Sequence, residues 1–204
     1  MLWTLRAALL VLCVSVCAQA QTRVLALYLD SPRGLDPESN AVMREELQRL
    51  VAPAGLEIVW KRMIDRSAGE NFDLVAVTSF VGPCTLNKSS APVTASAVSL
   101  ADTSISDGHI LPFFRVDCMR LIAMLGSQIE PATFGRALAR VAAHEIYHIV
   151  AQTTEHQERG VAKAAFSVRD LTSARFDLDI WSIERMRPAS VATVSDSSNT
   201  ESAR

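Results

Sequence analysis

The pentapeptide His144-Glu145-Ile146-Tyr147-His148 lies inside an apolar, helix-forming run from Ala132 to Gln152. Residues four apart on an α-helix project from the same face. The run therefore predicts one long helix with two histidines stacked on one side and Glu145 one position round from them. Pro131 suits its first position, and Phe134, Leu138, Val141, Ala142 and Ile149 supply apolar positions. Arg136 and Arg140 are expected on the solvent side. Thr153 and Thr154 weaken helix and mark its end.

The preceding residues read as alternating strands and helices. Val24 to Leu29 is a continuous apolar run, as in a strand buried on both faces. Asp36 can cap a helix opened by Pro37, with Val42, Leu47, Leu50 and Val51 inside and Arg44, Glu45, Glu46, Gln48 and Arg49 outside. Pro53-Ala54-Gly55 stops it. Leu56 to Trp60 and Phe72 to Val81 are two further strands, and a strand–helix–strand unit of this length predicts a right-handed parallel crossover. Asp102 to Gly108 reads as a turn, pairing Ala97 to Ala101 with Ile110 to Val116 as a hairpin. Pro112 lacks a ladder donor, so its strand belongs near an edge or carries a bulge. Asp117 can cap a short helix, Met119 to Leu125. Asp170 to Glu184 is a helical mixture of apolar and charged residues. The expectation is α/β (α+β): one domain with a mixed twisted sheet, an antiparallel edge strand and a long helix bearing the histidines.

Residues 1–20 carry one positive residue, Arg6, then an apolar run and Ala18-Gln19-Ala20, the pattern of a cleaved export signal. The apolar run is short for a membrane span of about 20 residues. The expectation is an exported protein, periplasmic or extracellular, cut after Ala20, with a domain over residues 21–187 and a disordered tail over 188–204. Cys84 and Cys118 are the two cysteines left after that cut, and in an exported chain they most simply pair. The chain has 20 Lys and Arg against 22 Asp and Glu, and removal of Arg6 takes the net charge from −2 to −3. No basic cluster points to nucleic acid, and no stable membrane span is expected after cleavage.

The chemistry follows from the helix. A hydrolytic zinc site has three protein ligands and one open position for water. His144 and His148 supply two imidazoles, and Glu145 is placed to take a proton from that water as general base. His156 is the favoured third ligand, with Glu155 and Glu158 competing and Asp170 more remote. A continuous helix would put His156 about 12 Å along the axis from His148. The chain must therefore turn shortly after Ala151 if His156 is to share the metal. His109 reads as a turn or surface residue, Tyr147 as packing, Lys163 as solvent-exposed, and Trp60 and Trp181 as core.

With its H-E-x-x-H, a nearby third histidine and then Gly160, the chain resembles the zincin metallopeptidases, most of all their metzincin branch. The order strand, helix, strand, strand, hairpin strand and histidine helix is similar to the N-terminal part of that branch. The resemblance implies zinc held by His144, His148 and His156, Glu145 as base, and a peptide or protein substrate paired by β-addition along an antiparallel edge strand. The spacing departs from the branch pattern H-E-x-x-H-x-x-G-x-x-H. Ala151 stands at the glycine position, and His156 falls two residues late. No methionine lies between His156 and Arg185, with Met186 just beyond. The pattern here, H-E-x-x-H-x7-H-x3-G, looks like that of a divergent zincin. Its alternative function is a binding module with little or no activity, in which zinc is structural.

Overall fold

A computed structural model describes residues 22–29, 34–65, 67, 69–86, 99–126 and 128–188. The predicted export signal, the tail beyond Pro188 and the loop with its neighbouring segment from Asn87 to Val98 lie outside the described residues.

The fold is α/β, and the described residues form five strands in one mixed sheet and five α-helices. The strands are β1 (Arg23–Leu29), β2 (Leu56–Lys61), β3 (Leu74–Val81), β4 (Ala101–Ser106) and β5 (His109–Asp117). The helices are α1 (Pro37–Val51), α2 (Cys118–Leu125), α3 (Pro131–Ala151), α4 (Val168–Thr172) and α5 (Ile180–Met186). The sheet order is β2-β1-β3-β5-β4. β1 runs parallel to both of its neighbours, and β3 runs parallel to β5. Among the described strands only β4 is antiparallel to its neighbour, and it forms one edge of the sheet they make. Residues Leu25 to Leu29 of β1 are all buried, which is what their unbroken apolar run requires of an inner parallel strand.

α1 and α3 lie side by side against the sheet. Asp36 caps α1 by accepting from the backbone N–H of Ser39 at 2.9 Å. The Ser39 hydroxyl donates to the carbonyl of Pro131 at 2.9 Å and so ties the start of α1 to the start of α3. The two helices approach so closely there that a Cβ on Gly135 would overlap the Ser39 carbonyl oxygen. The predicted disulfide joins Cys84, after β3, to Cys118, at the start of α2, and both residues are buried.

Several sequence expectations are corrected. The edge hairpin sits later than expected: β4 occupies Ala101–Ser106, where a turn was read, and only Asp107 and Gly108 turn. Both have positive φ, 52° and 78°, as a tight two-residue hairpin turn needs. The Pro112 strand itself meets expectation: β5 lies next to the edge strand, and the pairing is irregular around Pro112. Pairing steps from Thr103↔Phe114 to Ile105↔Ile110, so one residue of β4, Ser104, lies opposite three of β5, Leu111, Pro112 and Phe113. On α1, Met43 is buried where Val42 was expected, and Glu46 is buried rather than wet. Arg140, expected in solvent, is fully buried, because its guanidinium meets Glu46 across the α1–α3 contact. Asp170 to Glu184 forms parts of two short helices with an irregular segment between them. Trp181 is 72 % exposed and not core, because it lies on the open side of the short α5. Trp60 is half-buried, with the Arg44 guanidinium 4.5 Å above its ring.

Candidate metal centre

The long apolar helix α3 buries His144, Glu145 and His148. It ends where the sequence requires. Gln152 takes a left-handed conformation (φ 48°, ψ 48°), and Thr153 N–H bonds the carbonyl of His148 at 3.3 Å. The chain therefore leaves the helix axis within one residue of Ala151. It then returns, and the His156 ring reaches 5.1 Å from that of His144 and 4.9 Å from that of His148, centroid to centroid.

The returning loop is held at several points. Glu155 N–H bonds the Thr153 hydroxyl at 3.1 Å, and the Glu155 carboxylate pairs with Arg185 of α5 at 2.6 Å. The Gln157 side-chain amide donates to the Tyr147 hydroxyl at 3.3 Å, and its backbone N–H bonds the Ala162 carbonyl at 2.9 Å. Gly160 has φ 70°, and a Cβ there would collide with the backbone of Asp177 and Asp179. The tight passage puts Val161 N–H on the Asp177 carbonyl at 3.0 Å.

His144, His148 and His156 each offer one ligand atom, and these three atoms all lie within 4.8 Å of one another, so the three residues are placed to hold a metal ion. The contacts of the ring nitrogens show which of them face the cluster. His144 Nδ1 lies 2.8 Å from the carbonyl oxygen of Val161, and His148 Nδ1 lies 2.6 Å from that of Thr153. A carbonyl oxygen only accepts, so both Nδ1 atoms carry the proton. In the neutral rings both Nε2 atoms then present lone pairs, and they face each other at 3.1 Å. Two acceptors at that distance repel unless a cation lies between them. A proton is a poor candidate. Burial pushes the pKa of His144 down to about 4, against the opposing pull of the Val161 carbonyl, and burial also lowers that of His148. A tetrahedral metal with nitrogens at about 2.0–2.1 Å would separate them by about 3.3 Å, so the donor set fits. The carbonyl clamps are the outer contacts that fix tautomer and ring orientation at histidine metal sites.

The competing ligands are engaged elsewhere. Glu155 pairs with Arg185, and Asp170 pairs with Lys163 while closing a capping box with Ser167. Lys163 is half-buried through that pairing and is not the free surface lysine expected. Glu158 stays exposed outside the cluster, as His109 does at the start of β5. Tyr147 is packed, as expected.

Glu145 is buried beside the histidines, and its Oε2 accepts from the Thr103 hydroxyl of β4 at 2.6 Å. Burial pushes its pKa up to about 7; the Thr103 bond works against this and Asp102 adds to it. A cation at the three histidines would pull it down again. Neither Arg136 nor Arg140 pairs with it. Sequence reasoning missed Thr103, which carries no motif, and Phe166, whose ring packs edge-on against His144 with centroids 5.5 Å apart. Phe176 backs Phe166 in turn, at 6.1 Å.

No helix among the described residues is long and apolar enough to cross a membrane. Compared with protein-family models, with curated proteins and with solved structures, the chain matches none.

Proposed function

We propose that this chain is an exported zinc-dependent metallopeptidase in which Glu145 is the general base. The observation that carries the reading is the pair of facing Nε2 atoms at 3.1 Å, with a buried carboxylate on the adjacent helix position. Three imidazoles suit zinc and leave a fourth position open. When bound there, zinc would acidify a water and polarise a carbonyl. The chain's own residues do the rest. His144, His148 and His156 hold the ion, and the Val161 and Thr153 carbonyls keep two of the rings in the correct tautomer. Glu145 accepts the proton of the attacking water and passes it to the leaving amine. A metal held only for structure needs no base, and a buried carboxylate is costly to keep without a task.

The edge strand supports a peptide as substrate. β4 is antiparallel and lies next to α3 in space, so an extended chain adding to its open side would run past Glu145. This is the arrangement that the resemblance to zincins implies. The disulfide supports an oxidising compartment and hence export.

The test is cleavage of an unfolded protein mixture by the purified full chain loaded with zinc, read by mass spectrometry of new termini. We expect cleavage that a chelator stops and added zinc restores. A fully zinc-loaded chain that leaves every substrate intact would exclude the peptidase reading.

A further inference from the structure

We infer that Thr103 is a positioning residue, holding the Glu145 carboxylate so that one chosen oxygen faces the reacting water. The inference rests on the hydrolytic reading above and adds to it a residue that no motif marks.

A buried carboxylate on a helix can turn about its side-chain torsions and present either oxygen. Here the Thr103 hydroxyl donates to Oε2 at 2.6 Å. Among the described residues, no group donates to Oε1, and it is not one of the fully buried side-chain atoms left without a partner. Oε1 is thus the oxygen left free for a water, and Oε2 is the one occupied. Thr103 suits this work because its branched Cβ restricts χ1 and so fixes where the hydroxyl points. Its backbone is fixed too. Thr103 pairs with Phe114 of β5 at the last regular position before the bulge around Pro112. The neighbouring Asp102 points to the other face, where Arg115 pairs with it at 3.0 Å. Thr103 therefore reaches α3 from the edge strand itself. An extended substrate lying along β4 would be seated by the same strand that orients the base.

The experiment compares Thr103→Val, Thr103→Ser and Glu145→Gln in the full chain, loaded in turn with zinc and with cobalt. With zinc, Thr103→Val should lower kcat about 10- to 100-fold, the size of losing one charge-assisted hydrogen bond. KM and metal stoichiometry should not change, and Thr103→Ser should recover most of the rate. With cobalt, the visible absorption reads the ion's surroundings without any substrate. Thr103→Val should shift it in the same sense as Glu145→Gln, and Thr103→Ser should overlay the wild type. If Glu145→Gln shifts the spectrum and Thr103→Val does not, the positioning role is wrong and the base assignment stands. If neither shifts it, Glu145 does not face the ion and both fall. If the spectra behave as expected but no peptide is cut, the orienting bond stands and the peptidase reading falls. Valine keeps the branched shape that a strand favours. Should that variant fail to fold, Thr103→Ala against Thr103→Ser makes the same comparison.

Discussion

Glu145→Gln is expected to abolish peptide hydrolysis while leaving the metal in place. Glutamine keeps the shape of the side chain and can still accept from the Thr103 hydroxyl. It cannot take a proton from water. Loss of a general base costs about 10²- to 10⁴-fold in rate, and the loss should fall on kcat rather than KM. Removing a buried carboxylate also removes a desolvation cost, so the variant should unfold no earlier than the wild type. The combination is informative. A domain whose metal is structural would show the same stability and metal content but no activity to lose. Equal steady-state rates for wild type and Glu145→Gln would assign the base to another group.

Arg140→Met is expected to destabilise the fold by about 3 kcal/mol, measured by urea unfolding. Arg140 is 0 % exposed and lies one helical turn before His144. Its Nε donates to Glu46 Oε1 at 3.1 Å, and Nη2 lies 3.1 Å from the same oxygen without hydrogen-bond geometry. Nη1 donates to the carbonyl of Asp170 at 2.7 Å and so anchors α4 to α3. Breaking a buried pair typically costs about 3–5 kcal/mol because the partner is left charged and alone. Glu46 keeps a second partner, Arg49, at 2.7 Å, which places the loss at the lower end. An arginine in solvent, as the helical pattern suggested, would change stability by no more than about 0.5 kcal/mol.

Arg140 also shows where sequence reasoning stops. Helical period is local, so His144, Glu145, His148 and the extent of α3 could be read directly. The period says which residues share a face, but not what that face meets. Glu46 and Arg140 each looked like wet-face charges, and they neutralise each other across 94 residues of chain. The approach of His156 was half legible. The rise of a helix required a turn after Ala151, yet the residue that makes it, Gln152, is one that seldom adopts positive φ. The edge strand was placed too early for a related reason. Asp102, Thr103, Ser104 and Ser106 are polar, and so many polar residues before Asp107-Gly108 resemble a loop. Only pairing with β5 makes them a strand, and with it Thr103 becomes a partner of Glu145. Trp181 was assigned to the core on residue type alone, and a short helix after an irregular segment gave no pattern to correct it.

The whole proposal depends on His144, His148 and His156 holding one metal ion. Elemental analysis of the purified full chain after equilibration in a zinc buffer tests it most directly, with His144→Ala and His148→Ala measured alongside and circular dichroism checking that each is folded. One zinc per wild-type chain is expected, with loss of zinc from both folded variants. A folded wild-type chain that binds no zinc, or variants that bind as much as the wild type, would contradict it.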